Sequence, residues 1–347
     1  MEEKKFLTGN EAALMGLLDA GAEMMFGYPI TPASEILQGW VSVAESEKER
    51  KLDYLQTEDE IAAGFGVVGA VLAGKKAFTA SAGPGHVLLQ DPMAMAENLR
   101  LPFVGIMMMR GGPSTGTVNF SQQEVNLAAF GGNGDGLRIV YSASSVAEMY
   151  ELSQKIFSTA WKYRFPTILL GDGYLGKMKS TVHFKKQLQG VKAEPILAEK
   201  AEPTHLRNCY SSEVSFGEVL HENIADWKKM AKEVAEAESY HTEDARTLII
   251  AHGIVASACK DAVMELERTM KIGIFRPITV HPIDVTALKR AVNGVKRIFI
   301  FESSLNQFSR IIKYHLSGEK VDIVEVSKPA EGFTADEIIS VIRRHHE

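Results

Sequence analysis

Cysteine is scarce in this chain. Its 347 residues include only two, Cys209 and Cys259, and neither stands in a C-x-x-C pair. An iron–sulfur cluster or structural zinc site built by this chain alone is therefore excluded, and no metal ligands are assigned to it. Long apolar runs are also missing, since no stretch approaches the roughly 18 unbroken apolar residues of a membrane span. The opening MEEKKFLTGNEAAL has neither the basic n-region nor the apolar h-region of a signal peptide. The expectation is a cytoplasmic protein with no membrane partner. Basic blocks are short, and acidic residues outnumber basic ones 44 to 38 for a net charge of −6. A phosphate-backbone footprint, and with it a nucleic-acid partner, is not expected.

What is present is a globular composition, 45% hydrophobic and 24% charged, in a chain long enough for two or three domains. Through the first 175 residues GAEMMFGY, KLDYLQT, KKAFTAS, FVGIMMMR, LRIVYSA and PTILLGD read as strands alternating with helical patterns. That alternation predicts an α/β fold with a parallel sheet. Asn10 is the expected N-cap of the first helix and Gly21 its stop. The pattern loosens near KMKSTVHFKKQLQG and is followed by a charged helical stretch, NIADWKKMAKEVAEAESYHTEDA, with Ile224, Trp227 and Met230 at intervals of three. From Arg246 the alternation resumes in RTLIIAHG, KIGIFRPIT, VKRIFIFES and VDIVEVS. The expected organisation is an α/β domain over 1–180, a linker and surface helix over 181–245, and a second α/β domain over 246–347.

Several motifs invite chemistry. Gly64, Gly66 and Gly69 form a literal G-x-G-x-x-G, but they follow TEDEIAA, whose acids mark a helix start, so they fall inside a helix. Small residues there indicate close packing. Two G-D-G triplets, centred on Asp135 and Asp172, resemble the magnesium–diphosphate motif of thiamine enzymes. That motif needs a following asparagine, and the next one is Asn208, 73 and 36 residues on. Acidic turns at strand ends explain both triplets, so a diphosphate site is not expected on this chain. More specific is Gly27-Tyr28-Pro29-Ile30-Thr31-Pro32 after the strand AEMMF, with Thr31 and Pro32 expected to start a helix as N-cap and first position. KLDYLQT then delivers Glu58, Asp59 and Glu60 to the same sheet edge, where parallel folds bind ligands.

YPITPASE, TEDEIAAGFGVVGAVLAGKKAFTASAGPG and FVGIMMMRGGPSTG, with SQQEVNLAAFGGNGDG, ILLGDGYLGKM, YHTEDARTLIIAHG and KIGIFRPITVHP in order, resemble the alpha subunit of 2-oxoacid:ferredoxin oxidoreductases. The resemblance covers nearly the whole chain. It implies a thiamine diphosphate-binding, pyrimidine-type parallel sheet domain followed by a transketolase C-terminal-like α/β domain. It also implies CoA-dependent oxidative decarboxylation of a 2-oxoacid to acyl-CoA. A beta subunit would carry the diphosphate-binding half, magnesium and a 4Fe-4S cluster. Small gamma and ferredoxin-like delta subunits and ferredoxin itself are the further expected partners.

By this resemblance Glu60, nine residues before Gly69 where Glu58 stands eleven before it, is the glutamate set against N1′ of the shared cofactor's aminopyrimidine. That role needs a carboxyl group shielded enough to share a proton. Tyr28, Pro29 and Ile30 would line the cofactor. Arg110 would hold the substrate carboxylate with its planar fork, and Thr31 would add a hydrogen bond. His86 in SAGPGH departs from the bulky apolar residue common in the family. Met107 to Met109 read as a buried strand, and Glu302, Ser303 and Ser304 as packing residues. GGNGDG and GDGYLGKM favour 2-oxoisovalerate as substrate, GPSTG also suits 2-oxoglutarate, and pyruvate stays open. Two alternatives are the beta-type chain of a lipoamide-linked dehydrogenase, against which YPITP speaks, and a nucleotide-binding regulatory module built on Gly64 to Gly69.

Overall fold

The computed structural model describes residues 4–184, 191–197 and 205–345. Part of the expected 181–245 linker lies outside the described residues. Strand β1 (Lys4–Thr8) leads directly into α1 (Gly9–Asp19). The N-cap of α1 is Thr8 rather than Asn10. Thr8 Oγ1 accepts from Glu11 N, and the Glu11 carboxylate accepts from Thr8 N, forming a capping box. Asn10 is buried, and its Nδ2 donates to the Pro32 carbonyl at 2.8 Å and to Glu35 at 3.1 Å. It tethers the YPITP segment to the first helix.

Then come β2 (Met24–Gly27), α2 (Ser34–Ser46), β3 (Asp53–Gln56), α3 (Glu60–Leu72) and β4 (Ala77–Ser81). The start of α2 departs from expectation as well. Ala33 N donates to the Ile30 carbonyl at 2.9 Å, closing a turn through Thr31 and Pro32, and the helix begins only at Ser34. Helices α4 (Pro84–Leu88) and α5 (Gln90–Asn98) precede β5 (Val104–Met109). After these lie α6 (Val125–Phe130), β6 (Ile139–Ser142), α7 (Val146–Tyr163), β7 (Thr167–Asp172) and α8 (Gly173–Lys177). Met107, Met108 and Met109 are fully buried in β5. Strand β8 (Lys179–His183) pairs antiparallel with β1. This ribbon has no legible period because four of the five residues of β8 are exposed.

The chain continues through α9 (Glu213–Val234), β9 (Ala237–Tyr240), β10 (Thr247–Ile250), α10 (Gly253–Leu266), β11 (Ile272–Pro277) and β12 (Thr279–His281). It ends with α11 (Val285–Val292), β13 (Arg297–Glu302), α12 (Gln307–His315), β14 (Asp322–Ser327) and α13 (Ala335–Arg344). Ile224, Trp227 and Met230 of α9 pack on the apolar cluster that includes Tyr141, Phe157 and Ile139. The charged run expected to stay helical stops at Val234. Its tail forms β9, antiparallel to β11.

Seven strands make one sheet in the order β12-β6-β7-β5-β4-β2-β3, and five make another in the order β14-β13-β10-β11-β9. Within the first sheet β6, β7, β5, β4, β2 and β3 are parallel, and only β12 runs against them. KIGIFRPITVHP is therefore two strands in two sheets. One apolar cluster runs from Val67, Met93 and Met109 to Ile250, Phe275 and Ile300. The two sheets thus share buried surface, which is the main favourable term holding them together.

Candidate active site

The C-terminal ends of β5, β4, β2 and β3 lie side by side along one sheet edge. Glu60 enters this edge as the first residue of α3. Asp59 caps the helix by accepting from Ala62 N at 2.7 Å, so Glu60 is not needed as a cap. Glu60 is 4% exposed, and its Oε1 has no hydrogen-bond partner among the described residues. Burial pushes its carboxyl above the ordinary range; neighbouring Asp59 adds to that, and Arg110 and a backbone hydrogen bond oppose it. Beside it stand Gly85 and Ser81, whose buried Oγ also lacks a partner. A Cβ on Gly85 would lie 2.2 Å from Glu60 Oε1 and 2.2 Å from Ser81 Oγ, so only glycine leaves this cradle intact.

Arg110 follows β5 directly and is buried. Its Nη1 donates to the Thr31 carbonyl at 2.7 Å, while Nε is left without a partner among the described residues. Thr31 thus meets Arg110 through its backbone, on the turn that the YPITP segment makes. Gly83, at φ +52°, admits the arginine, since a Cβ there would stand 2.7 Å from Nε. Tyr28 and Pro29 are exposed and Ile30 is half-buried on the same segment.

Two residues outside the expected set complete the arrangement. Glu124, at the N-cap of α6, is buried and accepts from Gly83 N and Arg110 N, each at 2.9 Å. His86 is fully buried with Nδ1 2.8 Å from the other Glu124 oxygen. A carboxylate at a helix start reads as a dipole partner, and no spacing in SQQEV reveals that it reaches back 41 residues to Gly83. The second sheet holds this segment. Gln122 donates to the His252 carbonyl and accepts from Ser303 N, both at 2.9 Å, and Gln307 donates to the Gln123 carbonyl at 2.7 Å. Gly83, Arg110, Glu124 and Leu127 line a cavity of about 500 Å³. A larger one of about 1100 Å³, between α6, α9, α11 and α12, shares Gln123 and Leu127 with it but contains neither Glu60 nor Arg110.

Other motifs resolve as structure. Gly64 and Gly66 lie inside α3, where a Cβ would strike Pro92 and Phe26 respectively. They serve close packing, and lying inside the helix they form no strand-to-helix turn for a pyrophosphate. Asp172 caps α8 by accepting from Leu175 N at 2.9 Å, and burial raises its carboxyl to about 7. Asp135 lies in an exposed loop. Among the described residues, no three His, Cys, Asp or Glu side chains gather as metal ligands, and no helix is long and apolar enough to cross a membrane.

Residues 15–249 match the family described as pyruvate flavodoxin/ferredoxin oxidoreductase, thiamine diP-binding, and residues 245–337 match pyruvate:ferredoxin oxidoreductase core domain II. The chain belongs to the 2-oxoacid:ferredoxin oxidoreductases. Among its relatives is the ketoisovalerate oxidoreductase subunit VorB of Methanothermobacter marburgensis, 32% identical over 92% of both chains. Another is the 2-oxoglutarate synthase subunit KorA of Methanocaldococcus jannaschii, 30% identical over 87% of this chain and 89% of that one. Relatives of this oxidoreductase are thus subunits of larger assemblies. In fold it matches a 2-oxoglutarate:ferredoxin oxidoreductase from Magnetococcus marinus, whose structure holds 2-oxoglutarate, coenzyme A and succinyl-CoA. The TM-score is 0.88 at 24% identity, over 100% of this chain and 66% of that one. A split-gene transketolase matches with a TM-score of 0.61 at 14% identity. The parallel α/β fold and a thiamine diphosphate-binding domain follow for this subunit.

Proposed function

We propose that this chain is the alpha subunit of a thiamine diphosphate-dependent 2-oxoacid:ferredoxin oxidoreductase. It converts a 2-oxoacid and CoA to acyl-CoA and carbon dioxide, with 2-oxoisovalerate the favoured substrate and 2-oxoglutarate and pyruvate next. In this reading 1–180 is the pyrimidine-type unit and 246–347 the transketolase C-terminal-like unit. The observation that carries it is Glu60, a buried carboxyl with a raised pKa and an unpartnered oxygen beside the Gly85 cradle. A ring nitrogen of the aminopyrimidine fits that donor–acceptor demand.

Bound thiamine diphosphate supplies the nucleophilic carbon and the electron sink for decarboxylation. Glu60 holds a proton against the pyrimidine, and burial favours that protonated form by pushing its carboxyl above the ordinary range. Arg110 receives the substrate carboxylate, its backbone already fixed and Nε unspent. Tyr28, Pro29 and Ile30 border the cofactor, and Thr31 orients Arg110 through its carbonyl.

The beta subunit provides the diphosphate-binding half with magnesium and the 4Fe-4S cluster, gamma and delta subunits complete the assembly, and ferredoxin takes the electrons. Supporting this division, Tyr28, Leu55, Ile61, Phe65, Val87 and Leu88 are exposed on the elements that carry the site. Large apolar side chains left exposed together mark a surface for another protein. The test is a panel of 2-oxoacids on the co-purified complex, reading CoA-dependent reduction of a viologen dye. The highest kcat/KM is expected for 2-oxoisovalerate, and no CoA-dependent reduction with any 2-oxoacid would overturn the proposal.

A further inference from the structure

At the candidate site the sheet ladder is continued by a side chain. Pairing of β4 with β5 runs to Ser81 opposite Met107, and beyond it the two segments part around the 500 Å³ cavity. There Glu124 Oε1 accepts from both Gly83 N and Arg110 N, groups that diverging strands would otherwise leave without ladder partners. The second oxygen, Oε2, faces His86 Nδ1 at 2.8 Å. The imidazole is fully buried, and its Nε2 has no partner among the described residues. Burying a ring nitrogen without a partner costs free energy, and an apolar side chain would pack there without that cost. The contact with Glu124 is therefore what the polar ring contributes. With the carboxylate accepting, Nδ1 carries the proton and the tautomer is fixed.

We propose that Glu124, held by His86, is a positioning residue for Arg110. It pins the backbone of the arginine and of Gly83, whose missing Cβ admits the guanidinium, so that the fork meets the substrate carboxylate at one angle. This inference rests on the reading of Arg110 as the carboxylate-binding residue. The substitutions that isolate it are Glu124→Ala and His86→Leu, which remove the bonds, and Glu124→Gln and His86→Asn, which keep them. A glutamine oxygen accepts from both amides while its Nε2 donates to Nδ1 of the other imidazole tautomer, and asparagine Nδ2 donates from near the position of Nδ1.

In the assembled enzyme Glu124→Ala and His86→Leu are expected to raise KM for the 2-oxoacid about tenfold or more with kcat held within about twofold, while Glu124→Gln and His86→Asn stay within about threefold of the parent KM. Hydrogen exchange on the complex reads the stitch itself without substrate. Glu124→Ala should lose protection at the Gly83 and Arg110 amides, and Glu124→Gln should keep it. Unchanged KM in both disruptive variants, or loss of kcat alone, overturns the proposal, as does unchanged protection in Glu124→Ala. Should Glu124→Ala not fold, the His86→Leu and His86→Asn pair decides by the same criteria. If the parent complex oxidises no 2-oxoacid, the functional reading fails instead, and the exchange measurement alone decides whether Glu124 pins these two amides.

Discussion

Glu60 and Glu302 are both buried glutamates at a junction of strand and helix, one serving each sheet, and they are used in opposite ways. Glu302 ends β13 fully buried, with Oε1 accepting from Ser309 N at 2.9 Å and Oε2 from Phe308 N at 3.0 Å and from Ser304 Oγ. It supplies α12 with the cap that Asn306 does not. Glu60 caps nothing, because Asp59 already does so, and keeps one oxygen unpartnered. A buried carboxyl with its donors supplied holds a fold together. One left incomplete is a place for a ligand, and the stability it costs is retained for function.

The sharpest way to break this comparison is Glu60→Gln. In the assembled enzyme, turnover should fall by about 10²–10⁴-fold, the range of a positioned acid–base group, while the thermal midpoint stays level or rises. Next is Arg110→Lys, which keeps the charge and loses the fork. KM for the 2-oxoacid should rise about tenfold to a hundredfold with a smaller change in kcat, measured by steady-state kinetics. Glu302→Ala should do the reverse of Glu60→Gln. Unfolding free energy should drop by about 2–3 kcal/mol in denaturant titration, with the KM of the surviving enzyme unmoved.

A fourth expected effect is a pH slope at Asp172. Its folded pKa, about 7, lies above the ordinary aspartate value of 3.8, so the native state binds the extra proton. The stability this contributes is full below about pH 4 and is lost as pH rises through 7. Asp172→Asn keeps an oxygen for Leu175 N and removes the titration. Its stability relative to the parent should therefore improve progressively between pH 4 and 7, as read by thermal unfolding across that range.

Strand identity was legible because each buried parallel strand is a short apolar run bounded by polar residues, as in FVGIMMMR and PTILLGD. Boundaries were less so. Thr8 and Asn10 are both good caps, and only the tertiary bond from Asn10 to Pro32 decides between them. The Thr31–Pro32 pair has the composition of a helix start, but the turn closed by Ile30 and Ala33 delays α2 to Ser34. At the site, Glu60 and Arg110 could be singled out through the family resemblance of the motifs that follow β3 and β5, which end on one sheet edge with β2 and β4 between them. Glu124 could not, because its partners lie 14 to 41 residues away and two of the three are backbone amides, which carry no side-chain signature.

The central claim is that Glu60 meets a cofactor whose diphosphate-binding half lies on another polypeptide. The direct test is viologen reduction by the purified chain supplied with thiamine diphosphate, magnesium, CoA and 2-oxoisovalerate, alone and then mixed with its beta subunit. No reduction is expected from the chain alone, and CoA-dependent reduction from the mixture, lost again with Glu60→Gln. Reduction by the chain alone would contradict that claim.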